Sequence, residues 1–175
     1  TKKSTLRDAL KDEGIRLDTN DRTEPGLDEK LVASSYQVNI YRARPVVIRD
    51  GSAETKILTS YRTGKQIATQ AKISLNDADK VSLDPSRDPI ADGAAEVMTI
   101  NRATKFVFEF YGKTQDTYTM AHTVGEMLKE KSISMGKDDG ISPAISTPIK
   151  EGMHVRLWRN GTQTVTQDEE VDFPV

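Results

Sequence analysis

The feature that most constrains this chain is a threefold internal repeat. Thr5, Thr63 and Thr123 fall at steps of 58 and 60 residues. A fixed period of this size means that each copy is one small supersecondary unit. After each threonine comes a helix-like stretch and then an apolar step: Ile15-Arg16-Leu17, Ile73-Ser74-Leu75 and Ile133-Ser134-Met135. A turn rich in Asx or Gly follows each step, over residues 18–21, 76–79 and 136–140. Next come Glu24-Pro25, Ser82-Leu83-Asp84-Pro85 and Ser142-Pro143. Each copy ends in a short alternating strand closed by arginine: 38–42, 98–102 and 155–159.

The second and third copies open with a hairpin. Val46 to Arg49 leads through Asp50-Gly51 to Thr55–Tyr61, and an Asp-Gly pair between alternating runs signals a two-strand turn. Phe106 to Phe110 leads through Tyr111-Gly112 to Thr117–Met120. Thr63 and Thr123 are placed to cap the helices that follow. In the third helix Val124, Met127 and Leu128 form an apolar stripe at i, i+3, i+4 spacing. The unit therefore reads as hairpin, helix, turn, loop, strand. One helix across a small mixed sheet buries such a pattern most economically. The expected class is α+β, a tandem of ubiquitin-like (β-grasp) repeats arranged as a rod. The expected divisions are a partial repeat at 1–44 (helix and final strand only), full repeats at 45–104 and 105–161, and a separate segment at 162–175. The first copy lacks its hairpin, so 1–44 should be the least stable part or be completed by another chain.

Bulk properties agree with a row of small units. The chain is 35% hydrophobic and 30% charged with mean hydropathy -0.58, polar for one large globule, whereas small domains bury less of their surface. Net charge is -2, and acids and bases balance to within one in each of the three copies. Phosphate backbones need clustered Lys and Arg, so nucleic acid is not an expected partner. The absence of cysteine excludes disulfides and the usual zinc sets. No cofactor is expected. No apolar run approaches the roughly 18 residues of a membrane span, and no signal peptide is evident. A start at Thr1 rather than Met reads as an excised fragment.

The runs Thr123-Val124-Gly125-Glu126-Met127-Leu128-Lys129-Glu130, Ile141-Ser142-Pro143 and 147–153 (Thr-Pro-Ile-Lys-Glu-Gly-Met) are similar to the G-five-linked ubiquitin-like domains. Such domains recur in resuscitation-promoting factors and related wall-remodelling proteins of Gram-positive bacteria. The third copy resembles them over its whole length. The second departs at Gly64-Lys65-Gln66-Ile67 and at Asp88–Gly93, and the first matches only in its helix and final strand. The tail 162–175 looks like the start of a G-five domain. The resemblance implies a secreted, extracellular, wall-associated chain, with any peptidoglycan lytic domain lying beyond Val175.

The residues themselves offer little catalytic chemistry. Only His122 and His154 could act as a neutral-pH base, and neither has a nucleophile or orienting carboxylate at suitable spacing. The fragment is read as non-enzymatic. Asp18-x-Asn20 and Asp77-x-Asp79 hint at calcium loops, but the Gly and Glu that complete such a loop are missing, so turn capping is the better reading. Phe106, Phe108 and Phe110 alternate and share one strand face, which is expected to be core.

In the final strand, inward Val155 and Leu157 leave His154, Arg156 and Trp158 in an outer row. The first copy's equivalents are Gln37, Asn39 and Tyr41. An aromatic ring beside polar groups suits sugar stacking or a partner surface. Packing at the junction between consecutive repeats is the alternative, since Tyr41 and Trp158 each precede the arginine leading onward. The expected role is a stalk that positions a downstream domain. The alternatives are binding of peptidoglycan or another wall polymer or protein through those rows, and dimerisation through the open first repeat.

Overall fold

The structure, a computed structural model, describes residues 4–161. The chain divides between Arg102 and Ala103 into two compact units.

The first unit opens with α1 (Leu6–Asp12). Thr5 accepts the Asp8 amide through its hydroxyl, and Leu6, Ala9 and Leu10 form the buried stripe. The helix stops at Gly14, whose φ of +70° suits a residue without Cβ. The Gly14 and Ile15 amides turn back to the carbonyls of Lys11 and Leu10, closing the helix end. The same pair of bonds ends the other two long helices, with Lys72 and Ser132 at the left-handed position. Strands β1 (Arg22–Glu24) and β2 (Asn39–Tyr41) then pair antiparallel. The first copy thus holds a strand that the sequence reading, helix and final strand alone, did not include.

After β2 only Arg42 and Ala43 intervene before the hairpin β3 (Arg44–Asp50) and β4 (Ala53–Thr59). Helix α2 (Gly64–Gln70), capped by Thr63, crosses the sheet. Strand β5 (Lys80–Pro85), a short helix α3 (Pro89–Asp92) and β6 (Glu96–Asn101) complete it. The strand order is β4-β3-β6-β5, with β3 and β6 parallel at the centre and both outer pairings antiparallel. Val46, Ile48, Met98 and Ile100 point from the central strands onto Ile67 and Ala68 of the helix. Burying a large aliphatic side chain contributes about 1.5–3 kcal/mol, so these residues anchor the repeat.

The second unit repeats the plan with β7 (Thr104–Phe110), β8 (Lys113–Thr119), α4 (Val124–Glu130), β9 (Asp139–Ser142) and β10 (His154–Arg159). Its order is β8-β7-β10-β9, with β7 and β10 parallel. Phe106, Phe108, Val155 and Leu157 pack on Val124, Met127 and Leu128, with Phe110 partly buried at the rim. Thr123 and Glu126 cap α4 reciprocally.

The three copies differ in the loop before the final strand. In the first and third it lies against the helix start: the Arg7 amide donates to Leu27 and the Gly125 amide to Ile145. In the second copy the chain instead forms α3. Asp92 reaches Arg49 at 2.7 Å and Ser86 at 2.6 Å, and Ala94 closes over Val47 and Val97 on the sheet face away from α2.

Candidate functional site

Each copy is closed by its last arginine. Arg42 donates to the Arg16 carbonyl at 2.7 Å and to Asp21 at 2.6 Å, and Arg102 does the same to Ser74 and Asp79, both at 2.7 Å. Arg159 donates to Asp139 at 2.8 Å. Each of these aspartates also accepts an amide three residues back, from Asp18, Asn76 or Gly136. The three carboxylates are between 0% and 3% exposed, so the turn acids are consumed by the fold. In the full repeats the arginine also reaches the hairpin turn: Arg102 grips both oxygens of Asp50, and the Tyr111 hydroxyl donates to Asp139 at 2.7 Å beside Arg159. Asp139 is held well below the usual carboxylate range, first by Arg159, then by the Tyr111 hydroxyl and the Gly136 amide.

The outer row of the third copy exists as a surface. Val155 and Leu157 are fully buried, whereas His154 and Arg156 face outward and Trp158 is half-buried. Arg156 donates to Glu109 on the neighbouring parallel strand at 3.0 Å, and His154 lies 3.6 Å from the same carboxylate. The Trp158 ring lies over Gly140 of β9, where an added Cβ would come within 2.5 Å of indole carbons. Its Nε1 donates to Asn160 at 2.9 Å, and the Arg156 guanidinium sits 5.5 Å from the ring. In the second copy α3 and Ala94 cover the corresponding sheet face, but in the third the loop is drawn to the helix.

Tyr41 and Asn39 stand in the first unit, and Tyr41 does border the next repeat. Its hydroxyl donates to Glu24 at 3.0 Å, and this bond to a carboxylate raises the phenol's pKa. A cleft of about 430 Å³ separates β1 and β2 from the segment after β4, with Arg22, Glu24 and Tyr41 on one side and Tyr61, Arg62 and Gln66 on the other. The Arg22 guanidinium stacks on the Tyr61 ring at 4.4 Å. Asn39 is exposed and lines a separate shallow hollow with Tyr36 and Gln37. Sequence reasoning missed Glu109, Gly140, Arg22, Tyr61 and Arg62. Once β1 and β9 are recognised as strands, register places Arg22 beside Tyr41 and Gly140 beside Trp158. Among the described residues no group of three or more acidic or histidine side chains is placed to hold a metal, and no helix is long and apolar enough to cross a membrane.

A sheet of four strands with parallel first and last strands, crossed by one helix and repeated along the chain, defines tandem ubiquitin-like modules. The chain belongs to the G5-linked ubiquitin-like domain family, whose profile matches residues 1–28, 46–86 and 112–146, together more than half of it. It is similar to the resuscitation-promoting factor RpfB of Mycolicibacterium smegmatis, with 24% identity over 95% of this chain and 45% of that protein. It is also similar to the putative cell wall shaping protein YabE of Bacillus subtilis, with 22% identity over 100% of this chain and 42% of that protein. The chain spans less than half the length of these relatives.

Proposed function

We propose that this chain is a non-catalytic stalk in a secreted, wall-associated protein, holding a further domain at a set distance and orientation from the cell surface. The divisions carried into this proposal are a partial repeat at 1–44 and full repeats at 45–104 and 105–161. The G-five start expected at 162–175 lies outside the described residues. The observation that carries the reading is the junction inside the first unit. Two residues separate β2 from β3, the Ala43 amide donates to Asp21 at 2.8 Å, and Arg22 stacks on Tyr61 across the boundary. Arg44 donates to the Tyr61 carbonyl at 2.8 Å and pairs with Glu96. A connection this short, bonded on both sides, removes the freedom that a longer polar linker would have. Similarity to a resuscitation-promoting factor and a putative cell wall shaping protein supports a wall setting.

The test is a distance distribution between spin labels at Asp12 and Ala53, on either side of the junction within the first unit. A rigid stalk gives one narrow peak that broadens when four Gly-Ser residues are inserted after Ala43. A distribution already broad, and indifferent to the insertion, would sink the stalk.

A second reading, attachment to peptidoglycan or another wall polymer through His154, Arg156 and Trp158, rests on the uncovered outer face of the third copy. Co-sedimentation with isolated sacculi decides it. Saturable pelleting lost in Trp158→Ala supports the reading, and no pelleting at high micromolar protein ends it.

A further inference from the structure

The cleft between the first two repeats carries a charge pattern that the stalk reading does not use. Seven of the nine other arginines have a carboxylate partner among the described residues, all but Arg16 and Arg87, and neither of these two lines this cleft. Arg22 and Arg62, by contrast, have no hydrogen-bonded or ion-paired carboxylate among the described residues. Both line the cleft. Its one acid, Glu24, is engaged by the Tyr41 hydroxyl at 3.0 Å. The walls therefore present two guanidiniums against one occupied carboxylate, an excess of positive charge in a concavity.

The rest of the wall is aromatic and polar. Tyr41 and Tyr61 face the cleft from opposite repeats, and the Gln66 side chain adds an amide. The volume of about 430 Å³ falls within the range of about 300–1,000 Å³ seen for small-ligand sites. Guanidinium forks match carboxylate and phosphate oxygens. The Tyr41 ring presents flat apolar area to the C–H face of a sugar, with its hydroxyl fixed by Glu24. A neutral sugar would leave both guanidiniums unpaired, and a bare inorganic anion would not use the Tyr41 ring.

We propose that this cleft binds an anionic saccharide, its carboxylate or phosphate held by Arg62 and by the N–H edge of Arg22 where it rests on Tyr61, and its ring against Tyr41. The site lies in the first unit. It rests on the same ordered junction as the stalk reading but not on the Trp158 face, and a narrow spin-label distribution with no sugar-induced shifts would overturn the cleft proposal alone.

The test uses the purified chain with three hexoses that differ in charge: glucuronate, glucose 6-phosphate and glucose. Acetate and inorganic phosphate serve as ring-free controls, and binding is followed by amide shifts in two-dimensional NMR. At least one anionic sugar is expected to shift the amides of Arg22–Glu24 and of residues 60–66. Its affinity should exceed those of glucose and of the matching ring-free anion by tenfold or more. Which of the two sugars binds better identifies a uronate-like or a phosphate-bearing polymer as the source. Arg62 is exposed, so Arg62→Gln should fold normally yet weaken binding at least tenfold, whereas Lys137→Gln, exposed in the other unit, should leave it unchanged. Equal affinity for glucose, equal affinity for the ring-free anion, no shifts at 20 mM sugar (on the order of the weakest useful affinity), or binding that survives Arg62→Gln would each overturn the proposal.

Discussion

Arg159 and Asp139 illustrate how one residue pair sets the pH response of a repeat. Asp139 is fully enclosed, and its depressed pKa comes from Arg159, Tyr111 and the Gly136 amide. A carboxyl whose folded pKa lies below its unfolded value (about 3.9) adds stability that is complete above that value. The contribution is lost as pH falls through the folded pKa. Asp21 shows the same direction, led by the Ala43 and Asp18 amides. The third repeat should therefore lose resistance to urea as pH falls from about 4 toward 2. Asp139→Asn should lower the urea midpoint at pH 7 and shrink its drop between pH 7 and pH 3, because the site no longer titrates. An unchanged midpoint at pH 7 would mean that the latch is incidental to folding. The strands closed by arginine were legible in the sequence. Their partners were not, because an aspartate in an Asx-rich turn looks the same whether it caps only its own turn or also receives a guanidinium from a strand 20 residues on.

Among the elements, the hairpins, the helices after each repeat threonine, the caps at Thr63 and Thr123 and the closing strands were readable from alternation, capping and, in the third helix, 3.6-residue spacing, whereas the central, parallel place of the closing strands in the full repeats was not. The fourth strand was read as loop. Yet Lys80-Val81-Ser82-Leu83-Asp84-Pro85 alternates, with Val81 and Leu83 inward, and the signal was masked by the proline that ends it. Its counterparts β1 and β9 are only three and four residues long, too short for a period to register. Helix α3 was hidden for another reason: its Ile90 is 94% exposed, so no apolar stripe marks it, and only Asp88 capping and Pro89 at its first turn do. Helix α2 is the element where packing and propensity conflict. Alanine is preferred over glycine inside helices by about 1 kcal/mol, but a Cβ at Gly64 would come within 2.5 Å of Val81 Cγ1. Gly64→Ala should destabilise the second repeat by about 1–3 kcal/mol, the usual result of overpacking. Chemical denaturation of the variant tests this, and a stabilised protein would show that β5 yields to the helix rather than fixing it.

At the scale of the whole molecule the repeats share a plan but not a core. The second and third copies gather six and seven buried residues around one helix. The first has Leu6, Ala9 and Leu10 buried over a sheet of two strands, and in β2 Ile40 is only partly covered. A shortfall of about three large aliphatic side chains corresponds to at most about 9 kcal/mol of lost burial, and to less in practice because unfolded chains are themselves partly collapsed. Two-stranded ribbons are marginal in water, so the first copy draws its order from what it touches in the second: Arg22 on Tyr61 and Tyr41 beside Arg62. Hydrogen exchange at neutral pH should therefore rank the chain. Amides of Arg22–Glu24 and Asn39–Tyr41 should exchange first, through openings that leave the rest folded, and those of β3, β6, β7 and β10 last. Tyr61→Ala should speed exchange in β1 and β2 without touching β7 and β10, since it removes the ring on which Arg22 rests. Uniform protection across the three copies would mean instead that the first repeat is stabilised by contacts of its own. The stalk would then have no weak end, and the Arg22–Tyr61 stacking would be a consequence of the fold rather than one of its supports.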